Sequence, residues 1–267
     1  MILAYYEVTA FSDRLFAGNP AGVCLLKQPL PDMLLQRIAA ENNLAETAFL
    51  LEEGGAWRLR WYTPAVEMDL CGHATLATAH VLWRELRAAG DRLVFRTKSG
   101  DVAVDRDGDW LVLDFPARPP RVSPPPAGLF AALGAEPREF LRARDGFCVL
   151  ATEGEVAALR PDFAALARLD LHAVIATAQG GGGTDFVSRF FAPAVGVDED
   201  PVTGSAHCTL IPFWSERLGR PRLIARQISP RGGTLRCEHR GERVGIGGQA
   251  VTYLRGDIEV PESGADS

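Results

Sequence analysis

Lysine is nearly missing from this chain: Lys27 and Lys98 are the only two, and the 28 basic residues are outnumbered by 34 acidic ones, for a formal net charge of −6. Without a concentrated basic stripe, nucleic acid and anionic membrane surfaces are not expected partners, and a small molecule is. No stretch is long and apolar enough to span a bilayer, and the opening Met1-Ile2-Leu3-Ala4-Tyr5-Tyr6 lacks a basic region followed by an apolar run. The expected location is cytoplasmic. Cysteine is also sparse, with five (Cys24, Cys71, Cys148, Cys208 and Cys237), odd in number and widely scattered. That excludes a disulfide framework as the organising principle and makes reduced thiols the default. Cys71 with His73, His207 with Cys208 and Cys237 with His239 lie close in sequence, but none shows the Cys-pair spacing of a structural zinc site, so no metal is expected. A dinucleotide fingerprint is lacking too. Gly180-Gly181-Gly182-Gly183 is too uniform, and no helix follows it, so it reads as a hairpin loop. No cofactor is expected.

What the chain does have is a repeat. Arg60-Trp61-Tyr62-Thr63-Pro64-Ala65-Val66 parallels Arg189-Phe190-Phe191-Ala192-Pro193-Ala194-Val195, and Gly72 then answers to Gly204. The first runs are offset by 129 positions and the glycines by 132, so the second copy carries three extra loop residues. Each copy reads as an aromatic strand, a Pro-Ala-Val bend, an acidic loop, and a helix opening on glycine and small polar residues. The acidic loops lead into Cys71-Gly72-His73-Ala74-Thr75 and Asp200-Pro201-Val202-Thr203-Gly204-Ser205-Ala206. Exposed N–H groups and the positive end of the dipole make such a helix start a ready anion site.

At 267 residues, 47% of them hydrophobic, the chain can build two cores, and the duplication favours two halves. Six prolines between Pro116 and Pro126 mark the crossing, giving halves 1–117 and 118–267. The last strand, Val251 to Val260, either closes the second sheet or crosses over to the first half. The helix from Gly72 to Leu86 is apolar almost all round and so is read as buried on most sides. Three strands after it, with Asp107-Gly108 as a hairpin turn, form a meander that wraps it. Pro212 inside the helix from Ser205 to Leu218 is expected to kink it or displace its first turns. Glu262 to Ser267 reads as a frayed tail.

Two positions carry polar groups in unusual company. Asn19, in Phe16-Ala17-Gly18-Asn19-Pro20-Ala21-Gly22-Val23, is read as a turn residue, with a polar contact to a ligand as the alternative. Glu46 interrupts the apolar strand Leu44-Ala45-Glu46-Thr47-Ala48-Phe49. It is either turned outward on a half-exposed strand or held inside with a raised pKa, since desolvation disfavours the charged form.

Phe16 to Val23, Leu44 to Phe49, Cys71 to Thr75 and Asp200 to Ala206, in that order over nearly the whole chain, resemble the phenazine-biosynthesis PhzF-like isomerase family, related to diaminopimelate epimerase. The resemblance implies an α+β fold of two pseudo-symmetric halves, each a curled, mostly antiparallel sheet around a central helix, with the active site in the cleft between, and a homodimer. It places the family's catalytic glutamate on Glu46, its histidine on His73, its aspartate on Asp200 and its helix-opening serine on Ser205. The implied function is a cofactor-independent isomerase that moves a proton on a small carboxylate-bearing substrate. Glu46, His73 and Asp200 would handle protons, and Asn19, Gly72, Gly204 and Ser205 would bind the substrate. The epimerase relatives use two cysteines; Cys71 occupies the first place, but Asp200 to Ser205 offers no second thiol. A one-base epimerase and a silent binding protein on the same scaffold are the alternatives.

Overall fold

A computed structural model describes residues 1–261; the expected tail, Glu262 to Ser267, lies outside them. The chain divides into two units, Met1–Asp114 with the segment from Gly247 onward, and Phe115–Ile246.

In the first unit β1 (Ile2–Ala10) pairs antiparallel with β2 (Asn19–Leu26), and β2 runs parallel to β3 (Glu46–Glu53). Strand β3 pairs antiparallel with β4 (Ala56–Tyr62), which carries the short β5 (Glu67–Met68) and runs parallel to β6 (Arg92–Thr97). Strands β7 (Gly100–Asp107) and β8 (Trp110–Pro116) complete the expected antiparallel meander, with Asp107 paired to Trp110 across the turn. Helix α1 (Asp32–Asn42) lies between β2 and β3 and ends where Asn43 takes the left-handed conformation, which asparagine tolerates better than most residues. Helix α2 (Gly72–His80) packs on β1, β2 and β3, and all nine of its residues are buried. The predicted helix to Leu86 is not uniform, because Val81–Glu85 continues as a π-helical turn. The two threonines of α2 are satisfied locally: the Thr75 and Thr78 hydroxyls donate to the Cys71 and Ala74 carbonyls at 2.5 and 2.8 Å.

The second unit has β9 (Arg121–Val122), α3 (Leu129–Leu133), β10 (Glu139–Arg142), β11 (Gly146–Val149), α4 (Glu153–Ala158) and α5 (Phe163–Leu166). It continues with β12 (Val174–Gln179), β13 (Phe186–Phe191), α6 (Gly204–Leu218), β14 (Arg222–Gln227), β15 (Gly233–Arg240) and β16 (Arg243–Gly248). From β1 to β7 the successive pairings run antiparallel, parallel, antiparallel, parallel, antiparallel. From β10 to β15 they run in the same order. The duplication seen in the sequence is therefore one of topology, with α2 and α6 each inserted before the second parallel step. Strand β17 (Ala250–Glu259) pairs with β1 in the first unit and does not close the second sheet.

The repeat extends to one ion pair. Arg60 Nε donates to Glu67 at 2.7 Å with its guanidinium 5.2 Å from the Tyr62 ring centre, and Arg189 Nε donates to Glu199 at 2.7 Å with its guanidinium 4.9 Å from the Phe191 ring centre. In both copies the glutamate lies five positions before the helix-opening glycine. Each pair ties the loop that feeds the central helix back to the strand before it, and the three extra residues of the second copy fall between arginine and glutamate.

Pro212 does not interrupt α6. Lacking an N–H, it leaves the Cys208 carbonyl without its intrahelical donor, and the Arg118 backbone N–H supplies one at 2.8 Å. Cys208 is wholly buried, as a small core residue, and burial pushes its thiol up to about 11. In the glycine-rich turn before β2, Gly18 has φ of 62°, and a Cβ there would meet the Ala10 carbonyl oxygen at 2.3 Å. Only glycine fits.

Burial also governs two histidines. Desolvation holds His80 and His207 down to about 4 each. An unfolded histidine takes up its proton near pH 6.5, so as pH falls from about 6.5 to 4 the unfolded chain gains protons that the native one refuses. Stability is therefore lost on acidification, by roughly 3 kcal/mol per histidine over that window. Urea unfolding at neutral and acid pH is expected to show a smaller acid loss in His207→Gln than in the wild type; equal losses would mean that His207 is not held neutral.

Candidate active site

Strand alternation decides where Glu46 points. Thr47 is fully buried and its hydroxyl accepts from Asn42 Nδ2 of α1 at 3.1 Å, so Glu46, one residue earlier, takes the opposite face with Ala48 and Leu50. On that face it meets the first turn of α2. Glu46 Oε2 lies 3.1 Å from His73 Nε2, close enough to pair charges though not aligned as a straight hydrogen bond. On the other side of the ring, His73 Nδ1 lies 3.6 Å from Cys71 Sγ. The Glu46 side chain keeps 15% of its exposure and that of His73 only 6%. The carboxylate is therefore the member of the pair with access to solvent.

Burial alone would push the His73 imidazole down, but the Cys71 sulfur and the Glu46 carboxylate outweigh it, and the pKa sits well above the ordinary value. Cys71 is raised by its own burial and by Glu46, against the opposing pull of His73. The direction that follows for His73 is upward, with Cys71 and Glu46 acting from opposite sides of its ring. The linkage is opposite in sign to that of His207: the stabilisation from protonating His73 is fully present below about pH 6.5 and is lost as pH rises through its elevated folded pKa.

Glu46, Cys71 and His73 are all metal-ligand types, with donor atoms within 4.8 Å of one another. Cys71 and Glu46 nevertheless address opposite nitrogens of one ring. A proton can be handed across the ring from either side. The arrangement suits proton transfer.

The other expected residues fall as follows. Asn19 is not at the tip of a turn; it opens β2 opposite Ala10 and is fully buried. Gly72 and Gly204 are the first residues of α2 and α6. Ser205 stands in the first turn of α6, and Asp200 accepts a hydrogen bond from the Thr203 hydroxyl. Neither α2 nor α6 has a side-chain cap at its N-terminus, although Thr152 and Asp162 cap α4 and α5 through Glu155 N–H and Ala165 N–H. The two central helices thus keep N–H groups that no cap has taken. Sequence reasoning missed Gln227 and Ser229, whose side chains grip the Asp200–Thr203 turn. Nothing in the spacing of a strand glutamine announces such a role.

A two-unit fold with one central helix per unit is the diaminopimelate-epimerase-like fold. A predicted epimerase from Pseudomonas aeruginosa, 19% identical, shares that fold at a TM-score of 0.75 over 97% of this chain and all of its own. Residues 8–256 match the profile of the phenazine biosynthesis-like proteins, PhzC-PhzF, and the chain belongs to that family. Among its relatives is a Pseudomonas aeruginosa protein named an uncharacterized isomerase, 54% identical over 97% of this chain and 100% of its own. A solved PhzF-family structure from Enterococcus faecalis is 48% identical, with a TM-score of 0.94 over 97% of this chain and 100% of that one. Among the described residues no helix is long and apolar enough to cross a membrane.

Proposed function

We propose that this isomerase moves a proton between carbons of a small carboxylate-bearing substrate, without a cofactor, and that Glu46 carries the proton. The observation that supports it most is the 3.1 Å approach of Glu46 to a buried His73 at the uncapped start of α2. In the forward step the Glu46 carboxylate takes a proton from the carbon next to the substrate carboxylate, and the electron pair of the C–H bond passes into the conjugated system. Glu46, now a carboxylic acid, returns the proton to the far carbon, so that one C–H bond breaks, one forms, and no redox partner is needed. His73 holds Glu46 in place and steadies the charge through the cycle. Gly72 and the first N–H groups of α2 stabilise the negative charge of the intermediate. In the second unit, Gly204 and Ser205 have the same kind of binding role and Asp200 is an acid–base group; in the first, Asn19 is a substrate contact.

The test is a panel of β,γ-unsaturated carboxylates, vinylacetate and ring-borne analogues, incubated with the protein in heavy water. Uptake of solvent deuterium at carbon, with migration of the double bond, is the expected result; binding without exchange at any carbon would leave the scaffold a binding protein. Chelation with EDTA is expected to leave the exchange rate unchanged, and loss of activity restored by an added metal would overturn cofactor independence. Brief treatment with a thiol reagent is expected to be equally harmless, because Cys71 is buried and its thiol is raised by that burial. A one-base epimerase would instead take up deuterium without moving a double bond.

A further inference from the structure

Beneath the first turn of α6, one buried side chain makes three hydrogen bonds to a single turn of the chain. Gln227, the last residue of β14, is 1% exposed. Its Oε1 accepts from the Thr203 backbone N–H at 2.8 Å. Its Nε2 donates to the Asp200 carbonyl oxygen at 2.7 Å and to Thr203 Oγ1 at 3.1 Å. The Thr203 hydroxyl in turn donates to Asp200 Oδ2. Ser229, just beyond the strand, fastens the same loop by donating to the Pro201 carbonyl at 2.7 Å.

The direction of the Thr203 hydroxyl is the telling part. Thr203 is the N-cap residue of α6, the position where a threonine normally accepts from an N–H of the first turn, a bond worth about 1 kcal/mol. Here it caps nothing. Its oxygen accepts from Gln227 and its only proton goes to Asp200, which leaves the rotor one setting. Stability at the helix start is given up, and what is gained is a carboxylate with a fixed aim. Bonds in series also polarise one another, so the amide strengthens the hydroxyl's hold on the carboxylate.

We propose that Gln227 and Thr203 are positioning residues for Asp200: Gln227 sets the Thr203 hydroxyl, and the hydroxyl sets the orientation of the Asp200 carboxylate for proton transfer. This rests on the reading of Asp200 as an acid–base group made above.

The experiment uses the panel carboxylate that the wild type exchanges fastest, with kcat and KM measured for deuterium uptake. Gln227→Met keeps the shape and removes the polar atoms; Thr203→Val removes the hydroxyl, and Thr203→Ser keeps it. Gln227→Met and Thr203→Val are each expected to lower kcat by about tenfold or more with KM changed less than about twofold, and Thr203→Ser to restore most of the rate. In an Asp200→Asn background, adding Gln227→Met is expected to change kcat no further, because the carboxylate it positions is gone. A structural role predicts the reverse, the same loss with and without that carboxylate. Such additivity, or Thr203→Val as active as Thr203→Ser, would overturn the proposal. Should Gln227→Met fail to fold, the valine and serine pair decides alone. Glu46→Gln separates the two levels: if it is inactive while Gln227→Met exchanges like the wild type, only this inference fails, and if Glu46→Gln itself exchanges normally, the reading of the whole site fails.

Discussion

Glu46→Gln is expected to lower solvent deuterium exchange at least about a hundredfold while leaving the fold intact. The amide has the size and shape of the carboxylate but cannot accept a proton at useful pH, so the substitution isolates basicity from packing. It also removes one of the two groups, beside Cys71, that hold the His73 pKa up, and the imidazole is then expected to lose its proton at lower pH than in the wild type. Both effects should appear together. Exchange at the wild-type rate in Glu46→Gln would assign the proton to another group. A drop in exchange with an unchanged His73 would mean that the two side chains are neighbours without being coupled.

The second large effect concerns the loop that carries Asp200. The Arg189 and Glu199 side chains are 9% and 13% exposed, and the pair is bidentate, with both bonds at 2.7 Å. Arg189 Nη1 also donates to the Leu159 and Val156 carbonyls at 2.9 and 3.3 Å. Arg189→Met would leave a largely buried carboxylate without its partner, a loss on the order of 3 to 5 kcal/mol. At the equivalent position, Arg60 pairs with a half-buried Glu67 and with Asp32, whose side chain is 75% exposed, so water can replace much of what is lost. Arg60→Met is therefore expected to cost less, about 1 to 2 kcal/mol. Urea unfolding of the two variants makes the comparison. Equal costs would mean that the second clamp is no more buried in solution than the first. Because Glu199 directly precedes Asp200, Arg189→Met should also depress exchange by more than its stability loss alone explains.

How much of this was legible in the sequence depends on how local the cause was. The duplication was legible because arginine, aromatic residue and helix-opening glycine recur in the same order, and the pairing topology repeats with them. The glutamates of the two clamps could have been found by the same alignment, since both stand five positions before the glycine. Glu46 was legible as an anomaly, a carboxylate in an apolar strand. Its partner was legible only through the family resemblance, because the approach of β3 to α2 is a tertiary fact. Asn19 was misread because Gly18-Asn19-Pro20 has turn chemistry; the turn is there, but it ends at Gly18, and Asn19 already belongs to the strand. That α6 starts at Gly204 and runs unbroken through Pro212 was not legible, because the donor that satisfies the freed carbonyl, Arg118 N–H, comes from a segment remote in sequence. Gln227 could not have been read at all, since its three bonds reach back 24 and 27 residues to a loop.

The protonation state of His73 bears most directly on the account. Nitrogen NMR of the histidine-labelled protein, with the His73 signals assigned by comparison with His73→Asn, reads both ring nitrogens at once. An imidazolium, protonated on both nitrogens, is expected at about pH 7, with the ring losing its proton at lower pH in Glu46→Gln. A neutral His73 ring at that pH in the wild type, unmoved by Glu46→Gln, would contradict it.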